Sequence, residues 1–189
     1  MAGVEVQRVA DGLWRWTAVP ARGNEVASAY LELADAVVLV DPVLPAEGDP
    51  ERERFWRALD RDVERLGRPV VVAETRAGAG ADAAAAIGRY PGAGRWAPGA
   101  GPLPAGLEGL PLGGDGDPEV VLWVAGHRTL IVGRALEGRS GGGLVVAAQL
   151  DPAARATLLD LPVERVLTAR GAPVLVGGGV ALRAALSKV

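Results

Sequence analysis

The chain has no cysteine, which excludes disulfides, thiolate metal sites and a cysteine nucleophile. Histidine is nearly absent too. His127 is the one imidazole in 189 residues, and so the one side chain of its kind that titrates near neutrality. No apolar run approaches the roughly 18 residues that a membrane-spanning helix needs. The opening Met1-Ala2-Gly3-Val4-Glu5-Val6 has neither the basic start nor the apolar stretch of a signal peptide. Positive charge is not in excess, since the formal net charge is −3, so no nucleic acid and no membrane is expected as a partner. The expected location is cytoplasmic.

What the chain does contain is the composition of a globular protein, 49% hydrophobic and 23% charged. Its 189 residues suffice for one sizeable core, and a single domain over 1–189 is expected. The 27 glycines, with abundant Ala, Arg and Pro, resemble the coding bias of a high-GC genome.

Residues 4–9 alternate apolar and polar as a half-buried strand does. Asp11-Gly12 is a hairpin signal, and 13–17 continues as a second strand. Residues 20–24 read as a loop. Strands are expected at 27–33 and 36–40; the second is apolar throughout and ends at Asp41-Pro42. Asp49-Pro50 opens a helix. Phe55, Trp56, Leu59, Val63 and Leu66 form its apolar stripe, and Gly67 stops it. The stretch around which the chain is organised follows: Val70-Val71-Val72-Ala73, the turn Glu74-Thr75-Arg76-Ala77-Gly78-Ala79-Gly80, and an Ala-rich helix at about 82–90. Ligands gather at the carboxyl ends of strands in open α/β folds, so chemistry is expected at this turn. Residues 94–97 read as a short strand and 98–118 as a long Gly/Pro-rich loop. Strands are expected at 119–125 and 129–132, joined by a turn at Gly126-His127-Arg128. Residues 140–143 read as a flexible loop. Asp151-Pro152 caps a further helix ending near Asp160. A strand at 164–168 ends in Ala169-Arg170-Gly171, and 177–188 holds the last helix. Strands followed by helix-strand alternation imply sheets covered by helices.

Taken in order, these segments resemble the metallo-β-lactamase-fold hydrolases over nearly the full length. The resemblance rests on Asp11-Gly12-Leu13-Trp14, Val37-Val38-Leu39-Val40-Asp41, the Thr75 turn with its helix, and Trp96-Ala97-Pro98. It continues through the paired strands ending at Gly133, then Arg165-Val166-Leu167-Thr168-Ala169-Arg170-Gly171 with Pro173-Val174. It implies an α/β (α+β) fold, a four-layer αββα sandwich. It also implies a metal motif, T-H-x-H-x-D-H, from which this chain departs. Thr75 fits, but Arg76, Gly78, Gly80 and Ala81 stand at the ligand positions. Gly133-Arg134 replaces the family's Gly-Asp, and Arg170-Gly171 its final His-Gly. The loop Gly113-Gly114-Asp115-Gly116-Asp117 lacks the remaining His. Glycine and alanine side chains hold no ligand atoms, and arginine stays protonated. Zinc needs three or four N, O or S donors. Neither a metal nor a cofactor is therefore expected, and the metal-hydroxide attack of such hydrolases is expected to be absent.

Arg76, Arg134 and Arg170 stand where those ligands would converge. A cationic pocket there would hold a phosphate, sulfate or carboxylate, with Asp41 and Glu74 completing the candidate binding set. The competing reading is a salt-bridge network, since Asp41, Glu74 and Asp82 share this turn region. Asp41 either orients Arg76, acts as a base, or is a turn residue before Pro42. His127 reads as an exposed turn residue, away from Gly133-Arg134. Gly78-Ala79-Gly80 before a helix offers backbone amides to phosphate, but it is neither a P-loop nor a Rossmann fingerprint. Ser140 lacks a nucleophile elbow. Trp14 and Trp16 face one side of a strand, as core or interface residues. Three functions remain open. One is a catalytically degenerate, metal-free protein binding a small anionic ligand or a protein partner through the former active-site cleft. Another is a metal-independent hydrolase or other enzyme, with Asp41 or Glu74 as acid/base beside stabilising arginines. The last is a structural, homo-oligomerising protein with a filled cleft.

Overall fold

The computed structural model describes residues 4–20, 24–78, 80–113 and 118–188. At its N-terminal end, β1 (Glu5–Ala10), β2 (Leu13–Ala18), β3 (Val26–Glu32) and β4 (Val37–Val40) pair antiparallel in succession. After β4 the connections become helical. α1 (Pro50–Leu66) begins at Asp49, whose side chain accepts from the Glu51 amide, and ends at Gly67 at φ +59. That left-handed cap is open to glycine without Cβ strain. β5 (Val70–Ala73), α2 (Ala81–Arg89) and β6 (Gly94–Trp96) follow. A helical crossover delivers a parallel strand; β5 lies parallel to both β4 and β6 and completes a six-stranded sheet in sequence order. Val37, Leu39, Val70 and Val72 are buried with Trp56 and Leu59 of α1, and with Trp16 and Tyr30. The apolar stripe read from α1 is thus its core face. Trp16 also donates its indole N–H to the Val43 carbonyl at 2.8 Å, which settles the Trp14/Trp16 pair as core packing rather than an exposed platform.

The chain divides into two compact units. The first holds β1 to β6 with α1 and α2, and the second holds Thr75–Ala77 and everything from Ala97 onward. In the second unit, β7 (Leu107–Pro111), β8 (Val120–Val124), β9 (Thr129–Val132) and β12 (Arg165–Thr168) form a sheet in the order β12-β9-β8-β7. β9 and β12 are parallel, and the other neighbours antiparallel. A hairpin of β10 (Leu136–Arg139) and β11 (Gly143–Val146) stands apart as a two-stranded sheet. α3 (Pro152–Asp160) and α4 (Gly178–Leu186) contribute Leu158, Leu182 and Leu186 to a core with Val121, Trp123, Leu130 and Val132. Each unit therefore combines sheet and helix, the α/β class expected. Among the described residues no helix is long and apolar enough to cross a membrane.

Two expectations are corrected. The segment 98–118 is not all loop, because β7 lies within it. Leu107 and Leu110 are its buried anchors, and pairing with β8 supplies what local propensity does not. β7 is also an edge strand, where the terminal Pro111 loses no ladder bond. Residues 140–142 are the turn of the β10–β11 hairpin and Gly143 already belongs to β11, with Gly141 at φ +86 and Gly142 at φ +84. Positive φ at both positions is what the glycine run provides.

Candidate functional site: a register row of arginines

Two residues beyond the sheet, strand register does the positioning. Val132 of β9 pairs with Thr168 of β12 in the parallel ladder. Counting two residues on from each gives Arg134 and Arg170, side by side at the carboxyl ends of adjacent strands. β8 pairs antiparallel with β9 through Val121 and Val132, and the same count places Glu119 opposite Arg134. The Arg134 amide does donate to Glu119 Oε1, at 3.0 Å. Glu119 is in turn bridged antiparallel to Arg76, and the Thr75 carbonyl accepts from the Val120 amide at 2.8 Å. Arg76, Glu119, Arg134 and Arg170 thus follow one another from segment to neighbouring segment as one row. Together with Glu137, Ala147 and Ala148 they line one cleft of about 230 Å³.

Close backbone approaches seat this row. A Cβ on Gly133 would overlap Thr75 Oγ1 and stand 3.1 Å from Thr75 Cβ. Glycine there lets the Thr75–Ala77 segment lie against the end of β9. At the other side, Gly138 donates its amide to the Arg170 carbonyl at 2.9 Å. A Cβ on Gly138 would overlap the Ala172 carbonyl oxygen and come within 2.7 Å of its carbon. Gly171, at φ +75, faces Gly138 in return. This contact holds the loop carrying Arg170 beside the hairpin carrying Glu137, and Arg170 Nη1 lies 4.0 Å from Glu137 Oε1.

Three of the expected site residues are therefore brought together. Asp41 and Glu74 belong to the first unit. Asp41 sits at the end of β4 with φ +43, a left-handed conformation that aspartate tolerates better than most residues. Its carbonyl accepts from Ser28 Oγ at 2.8 Å, and Ser28 Oγ accepts from the Val43 amide at 2.9 Å, so one hydroxyl fixes the turn. Glu74, 3% exposed, accepts from Arg95 Nε at 2.9 Å and Arg95 Nη2 at 2.7 Å through Oε2. Asp82 accepts from the Leu44 amide at 3.1 Å and lies 3.9 Å from Arg52 Nη1. Glu74 and Asp82 thus pair with Arg95 and Arg52, arginines other than the three of the cleft. Gly80 caps α2 without a side-chain bond, and Asp82 places an acid in its first turn, which disfavours an anion there. Ala79 of the proposed phosphate turn lies outside the described residues, as do residues 114–117 of the loop at 113–117. His127 ends a 3-10 turn between β8 and β9, at the end of the hairpin opposite Gly133. Its carbonyl accepts from Thr129 Oγ1 and Arg165 Nη1, each at 2.9 Å.

Glu119 and Glu137 are the cleft residues that sequence reading did not find. Glu119 was findable by extending the β8–β9 register outward. Glu137 was not, because β10 carries one apolar residue, Leu136, and its pairing with β11 across a glycine run is not announced by alternation.

The fold these elements define is that of the metallo-β-lactamases. The metallo-β-lactamase FIM-1 of Pseudomonas aeruginosa, in a mono-zinc form, superposes with a TM-score of 0.64 over 99% of this chain and 96% of its own, at 16% identity. A metallo-β-lactamase of Erythrobacter litoralis gives 0.63 over 97% and 91%, at 17% identity. DIM-1 gives 0.63 over 99% and 98%, at 13% identity. No protein-family model matches the chain, and no curated protein sequence does. At these identities the likeness shows the fold alone. Among the described residues no group of three or more His, Asp or Glu is placed to hold a metal ion. Among the described residues the cleft does not offer zinc a ligand set. Guanidinium groups offer it no lone pair, and the two carboxylates fall short of the three or four donors required.

Proposed function

We propose that this chain is a metal-free binder of a small anion, held in the cleft lined by Arg76, Arg134 and Arg170. The observation that supports the reading is the register row, which gathers three guanidinium groups into one cavity against two carboxylates. Guanidinium is donor-only and permanently charged, and it matches carboxylate and phosphate oxygens in pairs. The hydrolytic reading has no equivalent support, because the positions that would organise a metal-bound hydroxide carry arginine, glycine and alanine.

A thermal-shift titration of metal-free protein tests this, with phosphate, pyrophosphate and dicarboxylates at fixed ionic strength and zinc in parallel. Ligand at about 100 times its dissociation constant adds roughly 2.7 kcal/mol. For a chain of this size that raises the melting temperature on the order of 5–10 °C. The shift should vanish when Arg76, Arg134 and Arg170 are all replaced by Gln. A comparable shift with zinc, or an anion shift that survives the triple replacement, overturns the proposal.

A further inference from the structure

We infer that the ligand of this cleft is a zwitterion of amino-acid size, carrying an ammonium group close to its carboxylate. This rests on the anion-binding reading above and narrows it. Among the described residues the polar side chains of the cleft are three arginines and two glutamates, and the other two that line it, Ala147 and Ala148, have no polar side-chain atom. Arginine only donates and an ionised glutamate only accepts. A ligand that satisfies both must therefore bring acceptors and donors together.

The two glutamates are not consumed by the arginines. Glu119 Oε1 takes the Arg134 amide, a backbone contact that anchors the carboxylate. Glu137 stands 4.0 Å from Arg170 Nη1, an ion-pair distance beyond hydrogen-bond reach. A phosphate dianion entering here would meet both carboxylates with no proton to offer them. Like-charge juxtaposition of this kind is how sites reject the wrong partner. An α-amino acid places its carboxylate among the guanidinium groups and its ammonium against a carboxylate. A cleft of about 230 Å³ is many times the roughly 10–15 Å³ that one water needs, so it admits a ligand of several heavy atoms.

The test is a calorimetric or thermal-shift panel of the common α-amino acids, each beside its carboxylate lacking the amino group, with inorganic phosphate as the third arm. At least one amino acid should bind ten-fold or more tighter than its deamino carboxylate and than phosphate. Replacing Glu137 by Gln should reduce that preference about ten-fold while strengthening phosphate binding; Glu137→Ala gives a second reading should the first variant melt abnormally. If phosphate or the plain carboxylates bind as tightly as any amino acid, and Glu137→Gln leaves the ratio unchanged, this inference fails while the anion-binding reading stands. If no probe binds in an arginine-dependent way, both fail.

Discussion

Replacing Gly138 by Ala should unseat Arg170 and destabilise the second unit. Gly138 lies in β10, and its backbone is not in a left-handed conformation, so alanine carries no dihedral penalty there. The penalty is steric. The new methyl would overlap the Ala172 carbonyl oxygen, and the Ala172 carbonyl carbon and amide nitrogen would lie at 2.7 and 2.9 Å. These are backbone atoms and cannot rotate away. Overpacking of this kind typically costs about 1–3 kcal/mol. Separating the strands also strains the Gly138 amide bond to the Arg170 carbonyl, 2.9 Å long, worth about 1 kcal/mol. The sum, roughly 2–4 kcal/mol, lowers the melting temperature of a chain this size by about 4–16 °C. Gly143→Ala is the internal control. It lies in the same hairpin, but its added methyl would meet only Arg139 Cβ at 3.7 Å, an ordinary contact, so its effect should stay within about 0.5 kcal/mol. Paired thermal and urea melts read both. Because the Gly138 bond positions the Arg170 loop, Gly138→Ala should weaken anion binding as well, measured below its lowered melting temperature. A Gly138→Ala protein that melts with the Gly143→Ala control refutes the close-approach argument.

Both tyrosines of the chain resist ionisation. Burial, with the Glu32 carboxylate beside Tyr30 and the Asp60 carboxylate beside Tyr90, raises both phenols above their ordinary value. Spectrophotometric titration of the folded protein should therefore show no tyrosinate step near pH 10, and the denatured protein should show one. Raised groups stabilise the fold below their unfolded pKa, so stability should fall as pH climbs above about 10. Asp60 behaves oppositely: hydrogen bonding from Arg89, 2.8 Å from its Nε, holds its carboxyl below the usual range. Asp60→Asn should thus lose about 1 kcal/mol at pH 7, with the difference from the parent shrinking as pH falls below about 4. Asp49→Ala removes the α1 cap and should cost about 1 kcal/mol in urea melts, with Asp49→Asn nearly neutral. Glu119→Gln takes the carboxylate from between Arg76 and Arg134. Stability at low salt should drop by about 1 kcal/mol and return as salt screens the arginines.

The fold was legible where local chemistry and tertiary environment agree. Asp49-Pro50 and Gly67 bracket α1 because cap preferences are properties of single residues. The unbroken Val37-Val38-Leu39-Val40 run marks a central strand because both its faces are buried. β7 and the β10–β11 hairpin were hidden for the converse reason: each has two buried leucines in a glycine-rich segment, and only pairing makes it a strand. The same division runs through the site. Arg76, Arg134 and Arg170 were findable because each follows a strong strand signal and falls at a ligand position of the family that the chain resembles. Glu137 was not, since its place depends on the contact between Gly138 and Gly171, and a sequence does not distinguish a glycine kept for close approach from one supplied by coding bias.

The register row also explains why a cleft at this end of the sheet does not depend on which side chains line it. Strand pairing fixes where the residues after β9 and β12 emerge, whatever side chains they carry. Arginines gathered along one row repel one another, more strongly at a protein surface than in bulk water. The row does not leave that repulsion bare. Glu119 lies between Arg76 and Arg134, tied to the Arg134 backbone rather than to its guanidinium, so its charge acts on both neighbours. Glu137 stands beside Arg170, at the end of the row. In the first unit Arg95 gives two N–H groups to Glu74 Oε2. In the cleft Glu119 accepts instead from a backbone amide, and Glu137 stands 4.0 Å from Arg170 Nη1, so neither carboxylate is drawn into such a pair with Arg134 or Arg170.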